Sequence, residues 1–185
     1  QVQALAPALR EERREKESLR RMKWLTADAL AALRAEAAAS PRLRKNLNLH
    51  VSPDDPVQRL CNAFEPGTYV RPHRHGADVW ELFLVLGGHA AVLIFDNAGR
   101  VTERTELQAG GETKAVELPP GAWHSLVALA PGTVLFEVKP GPYRPTGERN
   151  FAAWAPKEGA PAATAFVAWL EVAGGGARPP VDATV

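Results

Sequence analysis

Between residues 47 and 140 the chain breaks into short apolar, β-branched or aromatic runs, each closed by a turn signal. The runs fall at 57–63, 68–71, 79–86, 90–95, 101–107, 115–118, 125–129 and 134–139. Between them stand Glu65-Pro66-Gly67, Gly87-Gly88, Asp96-Asn97-Ala98-Gly99, Gly110-Gly111, Pro119-Pro120-Gly121 and Pro131-Gly132. Stretches this short suit strands, and glycine and proline pairs mark the reversals between them. Many strands without intervening helices leave a sandwich or a closed barrel as the way to bury apolar faces. The runs at 90–95 and 101–107, joined by Asp96–Gly99, read as a hairpin.

The flanks have a different character. From Arg10 to Lys23 charges of both signs alternate, the pattern of a solvated helix held by pairs four residues apart. A second helix is expected to begin at Thr26 as N-cap, with Leu25 and Leu30 as a hydrophobic staple and Leu30, Leu33 and Ala37 on one face. Pro41 ends it, because the residue before a proline is driven out of helical geometry. Arg42-Leu43-Arg44-Lys45 reads as a solvated basic turn. Beyond residue 140 the prolines of Pro140-Gly141-Pro142-Tyr143-Arg144-Pro145 impose an extended path. Phe151 and Trp154 are placed to lie on the barrel. Residues 163–172 suit a short helix or strand carrying Phe166 and Trp169, and Gly174-Gly175-Gly176 with Pro179-Pro180 suggests a disordered end. The expected organisation is a charged helical extension over 1–46, a β domain over 47–157 and a poorly patterned tail over 158–185.

Composition removes several function classes. Of 185 residues, 45% are hydrophobic and 23% charged, and the formal net charge is +1. A balanced charge supplies no general attraction to nucleic acid or anionic membrane. The single cysteine, Cys61, gives neither an internal disulfide nor a paired-cysteine metal site, and suits a small buried apolar role. No apolar run reaches a membrane-spanning length. The expectation is a soluble cytoplasmic protein with no membrane or nucleic-acid partner.

The chemistry concentrates in Pro72-His73-Arg74-His75, Glu81 and Pro119-Pro120-Gly121-Ala122-Trp123-His124. On a strand, His73 and His75 point the same way with Cα atoms roughly 6–7 Å apart, so both imidazoles can reach one ion. Adding His124 and a carboxylate gives three nitrogens and one oxygen, which suits a first-row transition ion and leaves coordination positions open. The carboxylate is Glu81 or its competitor Asp78. Asp78, Glu137 and Gln58 are the candidate acceptors for the second ring nitrogens. His89 reads as exposed, and His50 as a surface residue with the pocket as its alternative. The same strand parity turns Tyr69 and Arg71 inward, where Arg71 could hold a carboxylate or phosphate in a two-point grip. Arg59, Lys139, Tyr143 and Arg144 are further ligand-binding candidates. Trp80 and Trp123 read as structural, closing the barrel mouth, with sugar stacking as the alternative.

These residues resemble a known family. Gly67, His73, His75, Glu81 and Gly88 resemble the first cupin motif, and Pro119-x-Gly121-x-x-His124 the second. The wider segments Arg44-Lys45-Asn46-Leu47-Asn48-Leu49-His50, Asp54-Asp55-Pro56-Val57-Gln58-Arg59, Trp80-Glu81 and Glu137-Val138-Lys139-Pro140-Gly141-Pro142-Tyr143 look like the WbuC-type cupin-fold metalloproteins over about residues 40–157. Five residues separate His75 from Glu81, where three or four are usual, which keeps Asp78 in contention. The resemblance implies a mainly β, single cupin double-stranded β-helix (a jelly-roll barrel) with an N-terminal helical extension. It implies one divalent ion (Fe, Mn, Ni or Zn) on His73, His75, Glu81 and His124. It also implies a homodimer and a link to bacterial surface polysaccharide.

Three readings follow. The first is a metal-binding protein that handles a small anionic or carbohydrate-like molecule. The second is a metal-dependent dioxygenase or sugar isomerase, told apart by oxygen consumption or by isomerisation of a phosphosugar. The third is a non-catalytic sensor or storage module.

Overall fold

The computed structural model of the protein describes residues 22–180. The alternating-charge stretch at 10–21 therefore lies outside the described residues, and residues 22–26 just after it are not helical. The first described helix, α1 (Ala27–Ala39), starts as the sequence predicts: the Thr26 hydroxyl accepts a hydrogen bond from the Ala29 amide at 3.1 Å. Leu33 and Ala37 are buried, and Leu25 and Leu30 pack beside them.

Eight strands follow: β1 (Arg44–Asn48), β2 (Val57–Phe64), β3 (Glu81–Gly87), β4 (His89–Phe95), β5 (Val101–Gln108), β6 (Ala115–Leu118), β7 (Trp123–Ala128) and β8 (Thr133–Pro140). They form a five-stranded sheet in the order β1-β2-β8-β3-β6 and a three-stranded sheet in the order β5-β4-β7. The chain changes sheet between β3 and β4 and again at each step from β5 to β8, and all pairings are antiparallel. This is the jelly-roll barrel expected. A short 3₁₀ turn (Glu148–Asn150) and a second helix, α2 (Ala162–Val172), complete the described chain.

Period-two alternation distributes the apolar residues over three clusters. Ala90 and Val92 of β4 face the barrel interior with Phe83, Val85, Leu126 and Leu135. Ala91, Leu93 and Phe95, on the other face of β4, are covered by Phe166, Val167 and Leu170 of α2. On the outer side of the larger sheet, Cys61, Ala63 and Val134 meet Leu33 and Ala37 of α1. β4 is covered on both faces, which is why it reads as an uninterrupted apolar run.

Several expectations are corrected. Arg44 and Lys45, expected in a solvated basic turn, belong to β1. A polar sequence, Arg-Lys-Asn-Leu-Asn, hides this edge strand. Residues 68–71 form no strand. The stretch at 163–172, expected as a short helix or strand, is the helix α2, whose Phe166 and Leu170 are fully buried. The glycine segment after it is pinned: Val101 donates to the Ala177 carbonyl at 2.9 Å and Gly176 to the Val101 carbonyl at 2.8 Å. Among the described residues no helix is long and apolar enough to cross a membrane.

Candidate metal centre

One end of the barrel interior is polar, and strand parity explains how. Inner-face positions of β3 run Glu81, Phe83, Val85; those of β7 run His124, Leu126, Ala128; those of β8 run Leu135, Glu137, Lys139. Each strand is apolar at one end and carries a titratable group at the other, so the three strands bring these groups together.

His73 joins them through an isolated bridge. Its amide donates to the His124 carbonyl at 3.0 Å, and the His124 amide returns the bond at 2.8 Å, which sets the two imidazoles side by side. Ring centroids are 4.4 Å apart for His73–His124, 5.1 Å for His73–His75 and 5.4 Å for His75–His124. One ligand atom from each of the three histidines lies within 4.8 Å of the others, a group that could hold a metal ion.

Backbone carbonyls orient two of the rings. Nδ1 of His73 lies 3.0 Å from the Arg71 carbonyl, and Nδ1 of His124 lies 3.0 Å from the Ala122 carbonyl. A carbonyl only accepts, so each Nδ1 carries the proton and each Nε2 presents its lone pair. For His73 and His124 the second-nitrogen partners are therefore backbone carbonyls, not Asp78, Glu137 or Gln58. The Gln58 amide instead donates to the Pro53 and Asp55 carbonyls.

Glu81 is buried, with Oε2 3.0 Å from His124 Nε2 and 3.3 Å from His75 Nε2. These three buried atoms have no hydrogen-bond partner of good geometry. Lone pairs facing a carboxylate oxygen in a dry site are costly. Either a proton on an imidazole or a cation shared by the whole group would relieve them. Three imidazole nitrogens within 4.8 Å of one another, with a carboxylate oxygen beside two of them, are donors of the kind that suit a divalent first-row ion.

The titration behaviour reflects the same crowding. Burial, aided by the neighbouring His124, pushes His73 down to about 3. Burial alone would lower His124, but its contact with Glu81 outweighs that and raises it. Burial alone would raise Glu81, and the contacts from His124 and His75 hold it well below the usual carboxylate range. Asp78, the competing carboxylate, is exposed and stands at the cavity wall rather than among the imidazoles.

A cavity of about 520 Å³ opens beside the histidines, lined by His73, His75, Lys139 and the segments 140–147 and 149–150. Of the expected ligand-binding residues, Lys139, Tyr143 and Arg144 line it, together with Arg74 and Arg149, which no sequence motif marks as ligand-binding. The Arg74 guanidinium lies over the Trp123 ring at 4.4 Å.

Tyr69, Arg71 and Arg59 do not line this cavity, contrary to expectation. The Tyr69 ring packs on Phe166, and its hydroxyl donates to the Pro156 carbonyl at 2.8 Å. Arg71 donates to the Ala152 carbonyl at 3.1 Å and lies over Phe151. Arg59 reaches Asp55 at 3.3 Å. The parity argument fails here because Val70, not Tyr69 or Arg71, packs on the inner cluster. No regular ladder carries the alternation through Pro72 to His73. His50 bonds the backbone of Arg59 and His89 pairs with Glu106, both outside the centre.

A family model described as "Domain of unknown function (DUF6016)" matches residues 25–107. No curated protein matches the chain. Among solved structures the chain is similar to KdgF from Halomonas sp., with 20% identity, TM-score 0.44, and 66% of this chain and 90% of that one covered. It is also similar to a cupin superfamily protein from Desulfitobacterium hafniense, at 18% identity and TM-score 0.42 over 52% of this chain and 76% of that one. A third is TT1209 from Thermus thermophilus, at 19% identity and TM-score 0.46 over 64% of this chain and 97% of that one.

Proposed function

We propose that this is a metal-binding cupin-fold protein. Its barrel centre holds one divalent transition ion on His73, His75, His124 and Glu81, and its cavity admits a small anionic molecule. The observation that carries this reading is the convergence of His75 Nε2, His124 Nε2 and Glu81 Oε2, buried and without hydrogen-bond donors. A bound ion of this kind polarises an oxygen ligand or lowers the pKa of a coordinated water. The chain's own residues do the rest. Backbone carbonyls fix two of the imidazoles. Lys139 is paired with Glu81 and Glu137, but Arg74, Arg144 and Arg149 set positive charge on the cavity wall against the carboxylate of Asp78, which favours an anion. The finer likeness to WbuC-type metalloproteins belongs to the same reading and rests on the motif residues from Arg44 to Tyr143.

The test is metal content. Untagged protein, incubated with a mixture of Fe(II), Mn(II), Ni(II) and Zn(II) and then desalted, is expected to retain close to one equivalent of metal. The H73A/H75A variant is expected to retain almost none while keeping its β-sheet circular dichroism. A metal-free wild type after this treatment would sink the proposal.

A further inference from the structure

The two oxygens of Glu81 have different surroundings. Oε2 faces the imidazoles, whereas Oε1 accepts a hydrogen bond from Lys139 Nζ at 3.0 Å. The same ammonium stands 2.6 Å from Glu137 Oε1 as an ion pair rather than a well-directed hydrogen bond, and Glu137 Oε2 accepts from the Asn62 amide at 2.6 Å. Asn62 on β2, Glu137 and Lys139 on β8 and Glu81 on β3 thus form one continuous chain across three neighbouring strands. Its charged side chains are largely withdrawn from water, at 17% exposure for Lys139, 8% for Glu137 and 4% for Glu81. Buried ion networks of this kind are a poor route to stability compared with apolar packing, so the arrangement calls for another account.

We infer that Asn62, Glu137 and Lys139 are positioning residues that make Glu81 a one-oxygen ligand, with Oε2 presented to the ion and Oε1 withheld. The inference rests on the metal-binding reading above. Its physical content is simple. A carboxylate free to rotate can offer both oxygens to one ion and so occupy an extra coordination position. Lys139 holds one oxygen, and Glu137, anchored by Asn62, holds Lys139. The position that Oε1 would take stays available to a ligand arriving from the cavity, which Lys139 itself lines.

Cobalt(II) alone is the probe, because its visible absorption responds to coordination number and ligand geometry. Metal-stripped wild type, K139Q and H73A/H75A are titrated with it. K139Q is expected to bind about 10–100-fold more weakly, the usual effect of losing a residue that orients a ligand, and to show a changed cobalt spectrum. A folded K139Q with the wild-type spectrum and affinity, alongside an H73A/H75A variant that has lost cobalt, overturns the positioning role and leaves the metal centre standing. Equal binding by wild type and H73A/H75A overturns the centre itself and the inference with it. If K139Q does not fold, because two buried carboxylates are left facing each other, E137Q/K139Q carries the same comparison.

Discussion

Replacing Phe166 by alanine tests the claim that α2, in a stretch with no clear pattern, is part of the core. Phe166 is fully buried, with ring centroids 5.9 Å from Tyr69, 5.1 Å from Trp169 and 6.3 Å from Trp154. A buried Phe→Ala change costs about 3–5 kcal/mol in transfer energy and residual cavity. The edge-to-face contact with Tyr69 adds about 0.5–1.5 kcal/mol of its own. The surrounding groups are large rings in fixed orientations that cannot collapse into the space, which places the expected loss near 4 kcal/mol. With a urea slope of about 2 kcal/mol per molar, the unfolding midpoint should fall by about 2 M. Tryptophan fluorescence reads the transition, since Trp154 and Trp169 flank the deleted ring. The change should not alter metal stoichiometry, because Phe166 packs on the outer face of the smaller sheet and the imidazoles lie inside the barrel. A midpoint shift below about 0.5 M would refute the reasoning, since it would mean that α2 contributes little to the folded state.

Two further outcomes are expected besides the metal measurements. Glu158 takes both Arg42 and Arg44, and the hydrogen bond from Arg42, with Arg44 behind it, holds its carboxyl below the usual glutamate value of 4.5. A lowered folded value contributes stability above the ordinary value that disappears as pH falls through the folded one. The stability gap between wild type and E158Q should therefore be at most about 1 kcal/mol near neutrality, given the half-exposed carboxylate, and should close on acidification below pH 4.5. A gap unchanged in urea titrations between neutral and strongly acidic buffer would count against the clamp. Burial pushes the Cys61 thiol up to about 11, so it should resist a chromogenic disulfide reagent at pH 8 in native protein and react at once in denaturant. Fast stoichiometric labelling of the native protein would show that the α1 face opens readily.

Much of the barrel was legible because its determinants are local. Glycines and prolines at reversals, and short runs of strand-forming residues, placed seven of the eight strands within a residue or two. The helix at 27–39 was legible for the same reason, through Thr26 and the Leu30–Leu33–Ala37 spacing. β1 was not, because an exposed edge strand has no apolar face to betray it. The sequence of α2 suits helix and strand alike, since its apolar positions acquire meaning only against Ala91, Leu93 and Phe95 of β4.

The candidate site divides in the same way. His73 and His75 are two apart and His124 follows a turn of fixed type, so the sequence alone nominated three imidazoles and two rival carboxylates. Whether those imidazoles meet depends on the His73–His124 bridge between segments fifty residues apart, which no local pattern encodes. Tertiary structure also separated Glu81 from Asp78, by burying the first at an inner-face position of β3 and leaving the second on an exposed loop. It turned Tyr69 and Arg71 away from the cavity, because parity holds only along an unbroken ladder. And it made Lys139 a partner of Glu81 and Glu137 inside the barrel, where strand register rather than residue type decides which charges are shielded from water.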